Sequence, residues 1–191
     1  MERVALEDVD PTAFGQGVFR RALSEPLATE AMAVNHYRVP PGEELPSGLH
    51  THLDQEELFL VLAGEATFET LQASAVTVEA GAAIRFAPGD YQSGRNDGAV
   101  ELELVAIGAP RRTADTRVPF DCPACGVRGL RLDAGDDGLV FTCPACAGVQ
   151  QPAPCPACDA DDLRATLAET GEPVTACRNC GASYDAPPLA D

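Results

Sequence analysis

The centre of the chain alternates short apolar runs with turn residues at fairly regular spacing, which predicts β-strands. The run Leu58–Leu62 is apolar at every position, so we expect that strand to be buried on both faces. Residues 1–30 lack this pattern and predict an irregular lead. Short strands divided by Gly and Pro turns are typical of an all-β barrel or sandwich. The predicted strands cover residues 31–39, 58–62, 66–70, 76–79, 83–86 and 99–107.

The strand pattern ends before the last third of the chain, where the composition changes. Residues 109–119 are polar, contain two prolines and predict a linker after a barrel domain at residues 31–108. All eight cysteines lie between residues 122 and 180, and apolar periodicity is weak there. We expect two small units at residues 120–150 and 151–186. Neither can build a sizeable core alone, so each needs a staple.

Those cysteines form four Cys-x-x-Cys pairs that predict two zinc sites. Seventeen residues separate the first pair from the second, and eighteen separate the third from the fourth, spacings that fit four-cysteine zinc ribbons. Four thiolates leave no open position, so both zinc ions should be structural. Disulfides and redox pairs are the alternatives, and a nested grouping is an alternative to the sequential one. The pairs are Cys122/Cys125, Cys143/Cys146, Cys155/Cys158 and Cys177/Cys180.

A second candidate metal site lies in the barrel part. His50 and His52 are two residues apart, so on a strand both imidazoles point the same way, and Glu57 begins the next apolar strand. Two imidazoles and one carboxylate from adjacent strands form a facial triad with open coordination positions. His36 lies on the first strand, and we interpret it as a structural residue or a surface residue.

This part of the sequence resembles the cupin superfamily. His50-x-His52, four residues, Glu57, six residues and Gly64 follow the first cupin motif, which favours Glu57 over Glu56 as the ligand. Residues 81–96 resemble the second motif, except that Gln92 stands where the family has a third histidine ligand. The resemblance implies a double-stranded β-helix (jelly-roll) barrel that holds Fe, Mn, Ni or Zn, with Gln92 as a weak fourth ligand.

The charge of the chain restricts its partners and its surroundings. Thirty acidic residues face thirteen basic ones, all arginine, for a net charge of −17. Such a surface repels phosphate, so neither nucleic acid nor an anionic membrane is an expected partner. An acidic, lysine-free cupin resembles the haloarchaeal type, and molar salt screens such charges beyond ~3 Å. We expect a cytoplasmic protein, because the N-terminus lacks the pattern of a secretory signal.

Two functions from different classes remain open at this point. The first is a metal-dependent enzyme, of the oxygenase or the isomerase/lyase type, acting on a small molecule at the barrel triad. The second is a non-catalytic module that senses a small ligand in the barrel and contacts a protein partner through the ribbons. The family resemblance further implies a homodimer. A cupin that has lost its metal and persists as a scaffold is the least informative alternative.

Overall fold

The computed structural model describes residues 1–15, 17–71, 74–135 and 138–190. The fold is all-β, as predicted, and a single 3-10 turn at Leu6–Asp8 is the one helical element of the described residues. None of the helical structure in these ranges is long and apolar enough to cross a bilayer. The barrel strands are β1 (Thr12–Phe14), β2 (Val18–Ala22), β3 (Ala33–Val39), β4 (Thr51–His52), β5 (Glu56–Ala63), β6 (Glu65–Thr70), β7 (Val76–Glu79), β8 (Ala83–Phe86), β9 (Gln92–Arg95) and β10 (Leu102–Ala109).

Two antiparallel sheets face each other and enclose the barrel core. One has six strands in the order β1-β2-β3-β10-β5-β8, and the other has three in the order β7-β6-β9. The rings of Phe59, Phe68 and Phe86 meet inside, with centroids 4.9 to 6.0 Å apart. Burying each such side chain contributes roughly 1.5–3 kcal/mol. The buried core consists of Val18, Val39, Leu45, Phe59, Val61, Ala66, Phe68, Val78, Phe86, Leu102, Leu104 and Ala106.

The N-terminal lead, expected to be irregular, contains two strands of the larger sheet. Strand β2 pairs with β3, and β1 pairs with β2. The sequence conceals β2 because Arg20 and Arg21 interrupt its apolar pattern. Val18 is nevertheless only 1% exposed, and the Arg20 guanidinium lies 5.1 Å from the centre of the Phe14 ring. A long arginine side chain can cover apolar surface with its hydrocarbon stem, so β2 pairs between β1 and β3 despite its charges.

Strand β5 is not buried on both faces, contrary to the prediction. Phe59 and Val61 face the core, whereas Leu60 and Leu62 are 36% and 45% exposed. The outer face of the six-stranded sheet is open to solvent at this strand, so a uniformly apolar run does not require two covered faces. At the far end of the barrel, Val100 is 62% exposed and lies before β10 begins.

The cysteine-rich part forms two small antiparallel sheets. The first unit carries β11 (Thr116–Asp121), β12 (Arg128–Gly135), β13 (Gly138–Thr142) and β14 (Val149–Gln150). The second carries β15 (Leu163–Leu167), β16 (Pro173–Cys177) and β17 (Ser183–Tyr184). Strand β11 occupies the second half of the segment expected to be a linker. Its Pro119 lies where the register with β12 shifts, which is where a strand tolerates proline.

Both ribbon units pack directly on the barrel. Strand β11 pairs with β4, so the first ribbon extends a sheet that includes His52. In the second ribbon, the Ala165 carbonyl accepts a 2.7 Å hydrogen bond from the Leu49 backbone N–H. The approach is close because Gly48 has a φ of +62°, and a Cβ there would lie 2.9 Å from the Ala165 oxygen. Both contacts therefore join a ribbon to the segment that carries the two candidate histidine ligands.

Candidate metal centres

His50, His52 and Glu57 come together at the mouth of the barrel. His52 lies on β4, His50 forms an isolated β-bridge with Gln92, and Glu57 is the second residue of β5. The ligand atoms of the three side chains all lie within 4.8 Å of one another. The Glu57 carboxylate is 3.9 Å from His50 Nε2 and 3.6 Å from His52 Nε2. One cation can therefore reach all three.

Each imidazole is held through its Nδ1 atom. His50 Nδ1 lies 2.9 Å from the Gly48 carbonyl, and His52 Nδ1 lies 2.9 Å from the Thr116 hydroxyl. A ring that donates through Nδ1 keeps its lone pair on Nε2, the atom that faces Glu57. Burial lowers the pKa of His50, which favours the neutral ring that a metal needs.

The carboxylate of Glu57 is held in its charged form. Burial by itself raises the pKa of Glu57, but interactions with His52, His50 and Gln92 together hold it below its ordinary value. The Gln92 amide nitrogen donates a 2.9 Å hydrogen bond to Glu57 Oε2, and its side chain is almost fully buried. Gln92 thus lies at the site, oriented toward the carboxylate. A half-turn of its amide would present the oxygen instead.

Glu56 and His36 lie away from this cluster. Glu56 is exposed on the outer side and forms a 2.7 Å ion pair with Arg85. His36 is 1% exposed, and its Nε2 lies 2.7 Å from the Glu103 carboxylate. Glu57 is therefore the glutamate directed into the barrel mouth, and His36 is structural in its surroundings.

The eight cysteines gather into two groups of four, with the pairs grouped sequentially rather than nested. In the first group, Cys122 and Cys146 have sulfurs 3.8 Å apart, and Cys125 and Cys143 have sulfurs 3.5 Å apart. The second group shows 3.7 and 3.6 Å, for Cys155–Cys180 and Cys158–Cys177. Tetrahedral zinc with bonds of ~2.3 Å holds its sulfurs ~3.8 Å apart. The spacing fits a zinc ion and is far longer than a disulfide.

All four knuckles share one backbone turn. In each, the N–H of the first cysteine donates to the carbonyl five residues later, and its own carbonyl accepts from the residue four later. That fourth residue has a positive φ, which glycine adopts without strain. Two knuckles have Gly126 and Gly181 there, and the other two have Ala147 and Asp159. The turn aims both sulfurs of a pair at one point.

Three thiols, those of Cys143, Cys155 and Cys158, have a lowered pKa, which favours the thiolate form that binds zinc. The pKa of Cys143 is lowered to about 6, chiefly because the backbone N–H of Cys146 donates to its sulfur. The pKa of Cys155 is lowered to about 6, chiefly because the Tyr184 hydroxyl, 3.3 Å away, donates to it. Neither Tyr184 nor Thr116 could be identified from the sequence, because each meets its partner only through strand pairing in the folded chain.

A family model and solved structures agree on the barrel. The model described as "Cupin domain" matches residues 35–108. No curated protein matches the chain. A sugar phosphate isomerase from a cupin superfamily, from Silicibacter pomeroyi, is 17% identical with a TM-score of 0.57, over 76% of this chain and 94% of that one.

Two further solved structures match this chain over most of their own length. The polyketide cyclase RemF from Streptomyces resistomycificus is 20% identical with a TM-score of 0.55, over 64% of this chain and 88% of that one. A predicted oxalate decarboxylase from Thermotoga maritima is 25% identical with a TM-score of 0.50, over 56% and 98%. These likenesses concern the fold. Residues 35–108 carry both cupin motifs, match the cupin domain model and form a double-stranded β-helix like that of the solved cupin structures.

Proposed function

We propose that this protein is a metal-dependent cupin enzyme that acts on a small molecule at the barrel mouth. The observation that carries the proposal is the triad. His50, His52 and Glu57 bring three ligand atoms within 4.8 Å, and each imidazole is fixed through Nδ1. A metal-binding histidine characteristically uses its other nitrogen in this way, because the hydrogen bond sets the tautomer and the ring orientation. A degraded site has no need of both restraints.

The donor set restricts the cation and the chemistry. Two imidazoles and one carboxylate suit Fe, Mn, Ni or Zn and leave coordination positions for substrate oxygens. When bound, such a cation supplies Lewis acidity at a substrate oxygen. The protein's part is to orient the histidines and to keep Glu57 charged, while Gln92 stays available as a neutral fourth ligand.

Known cupin structures support a small-molecule reaction of the isomerase or lyase type. The three neighbours are named for an isomerase, a cyclase and a decarboxylase, reactions that rearrange or split small organic molecules. Because fold alone does not fix chemistry, this assignment rests on the triad and draws only the reaction class from the neighbours. In the ribbons we propose two structural zinc ions, since four cysteines close each site.

Metal analysis tests the barrel site directly. Wild-type protein, loaded with Mn²⁺ or Fe²⁺ and purified in molar KCl, should hold three metal ions per chain, two of them zinc. The His50→Ala/His52→Ala variant should hold only the two zinc ions. His36→Gln is the matched control. It changes the one histidine of the chain that lies outside the triad, and the variant should retain all three ions. Two zinc ions and no third ion in wild type would overturn the proposal.

The ribbons also support a second candidate function, contact with a protein partner. Val127 and Val149 follow the two knuckles of the first ribbon and are 40% and 62% exposed. Apolar side chains at the tip of a small rigid unit suit a docking surface. A pull-down in molar salt with wild type and Val149→Asp tests this. A partner recovered equally by both chains, or by neither, would contradict it, and light scattering of the same samples tests the predicted homodimer.

A further inference from the structure

A large cleft lies between the barrel mouth and the two ribbons. Its volume is about 840 Å³, within the range of small-molecule sites. His50 and His52 form part of its barrel wall. The remaining walls come from the barrel and from both ribbons.

The barrel interior by itself offers much less space. The cavity on the inner side of His50 and Glu57 has a volume of about 110 Å³. Since a water molecule occupies ~30 Å³, that space holds a few waters or one polar group of a larger molecule. A substrate bigger than that must extend into the cleft, where the ribbons surround it.

One wall of the cleft is apolar and belongs to the first ribbon. Val118, Phe120, Leu132 and Phe141 line it, and Leu139 lies at its edge with 65% of its surface exposed. Aromatic and aliphatic side chains of this kind bind the apolar body of a ligand by excluding water. The histidines form a separate, polar part of the lining, where an oxygen-bearing end of the ligand can approach the triad.

A buried hydroxyl in the second ribbon wall lacks a partner. Thr175 lines the cleft, is 3% exposed, and its Oγ1 has no hydrogen-bond partner among the described residues. Buried polar groups in folded proteins are nearly always hydrogen-bonded, so an unsatisfied one calls for an explanation. Because this oxygen has almost no accessible surface, a ligand supplies the missing partner when the threonine side chain turns toward the cleft.

The charges of the lining argue against an anionic ligand. Arg164 is the one lysine or arginine of the lining among the described residues, and two of its three guanidinium nitrogens have partners. Its Nε lies 3.2 Å from Asp162, and its Nη1 donates to the Leu45 and Pro46 carbonyls. Asp161 and Asp162 add negative charge to the same wall. In the ribbon part of the cleft, away from the barrel metal, a phosphate or carboxylate would meet two carboxylates and an arginine whose charge Asp162 already offsets.

We infer that this cleft binds an uncharged molecule with an apolar ring or chain and an oxygen-bearing end, so that the zinc ribbons form part of the ligand site. That this ligand is the substrate of the barrel metal rests on the proposed function. The ribbons then have a role beyond stabilising the tail. They supply the apolar wall and the unpaired hydroxyl that the barrel lacks.

Matched probes and matched variants test the inference. The probes are 4-hydroxyacetophenone and 4-hydroxybenzoate, which share a ring but differ in charge, titrated by NMR in molar KCl. The neutral probe should bind about tenfold more tightly. Leu139→Asp places a charge at the apolar wall of the cleft and should weaken the neutral probe about tenfold. Val149→Asp, equally exposed on the same ribbon but outside the cleft, should leave binding unchanged.

Two outcomes would overturn the inference: tighter binding of the benzoate, or equal effects of the two aspartate variants. Thr175→Val should weaken the neutral probe while leaving the zinc content at two ions. The metal content of the same samples separates this inference from the proposed function. If the protein holds three metal ions but does not bind the neutral probe, the cleft inference is wrong and the proposed barrel enzyme stands. If the protein holds only two zinc ions but binds the neutral probe, and Leu139→Asp weakens that binding, the cleft inference stands and the proposed barrel metal is wrong.

Discussion

The cysteine sites and the barrel triad are built in opposite ways. Each cysteine group is local: two knuckles with the same backbone turn, 17 or 18 residues apart, supply all four sulfurs. The three triad residues are close in sequence, but the residues that support them come from distant segments. His52 takes its Nδ1 partner from Thr116, 64 residues away, and Glu57 takes a hydrogen bond from Gln92, 35 residues away. A local site can form as soon as its hairpin does, whereas the triad needs the barrel and the first ribbon together.

The dependence between the two regions therefore runs in one direction. The first ribbon closes around its own cysteines and delivers Thr116 to the barrel through the pairing of β11 with β4. In the second ribbon, Ala165 binds the backbone of Leu49, next to His50. Damage to a ribbon should disturb the triad, while damage to the triad should leave the ribbons intact. Three predictions test this asymmetry.

Removing a buried ribbon thiolate should have the largest effect. Cys143→Ser takes away one of four sulfurs at a position only 1% exposed. Structural zinc contributes ~10–16 kcal/mol of apparent binding energy in small domains that fold around it, so we expect the first ribbon to lose its zinc and unfold. Zinc analysis should show one ion in place of two, proteolysis should cut residues 120–150, and the barrel should bind its metal more weakly.

The control for this experiment is Ala145→Ser, which adds a hydroxyl at an exposed position of the same knuckle. It should keep both zinc ions and resist the protease. If Cys143→Ser lost zinc but kept full affinity for the barrel metal, the proposed dependence of the triad on the ribbon would be wrong.

What could be read from the sequence follows the same division. Cysteine spacing predicted both clusters and their sequential grouping, and the spacing of His50, His52 and Glu57 predicted three side chains that do converge. These patterns are local. The strand Val18–Ala22 was missed because two arginines interrupt its apolar pattern, and Thr12–Phe14 was missed because three residues show no pattern. Strand β11 was missed because it contains a proline and polar residues. Their stability comes from pairing with other strands, which the periodicity of one segment does not report.

An intermediate effect is expected from the residue that joins the two regions. Thr116→Val keeps the β-branched shape that suits β11 but removes the hydroxyl beside His52 Nδ1. Loss of an outer partner of a metal-binding histidine typically costs ~10–100-fold in affinity, so the barrel metal should bind that much more weakly. Both zinc ions should remain, as measured by competition titration and metal analysis of one sample.

Thr113→Val is the matched control for this variant. Thr113 lies three residues before Thr116, and its hydroxyl also makes a single side-chain hydrogen bond, to the exposed Asp54 carboxylate. Affinity for the barrel metal should not change. An equal loss of metal affinity in both variants would mean that the metal site depends on the segment as a whole and does not depend on the specific contact with His52.

The smallest effect is expected for Glu56→Gln, and its comparison with Glu57→Gln tests which of two adjacent glutamates serves the site. Glu56 and Glu57 are neighbours in sequence, but β5 directs them to opposite faces: Glu56 is exposed and paired with Arg85, whereas Glu57 faces the histidines. An exposed ion pair contributes ~0–1 kcal/mol, so Glu56→Gln should change neither metal affinity nor, beyond that range, the free energy of unfolding. Glu57→Gln removes the one carboxylate of the triad and should lower affinity by more than the ~10–100-fold expected for an outer partner. The reverse ranking in a metal titration would shift the site to the outer face of the sheet, where neither ribbon contributes, and the asymmetry between the two regions would disappear with it.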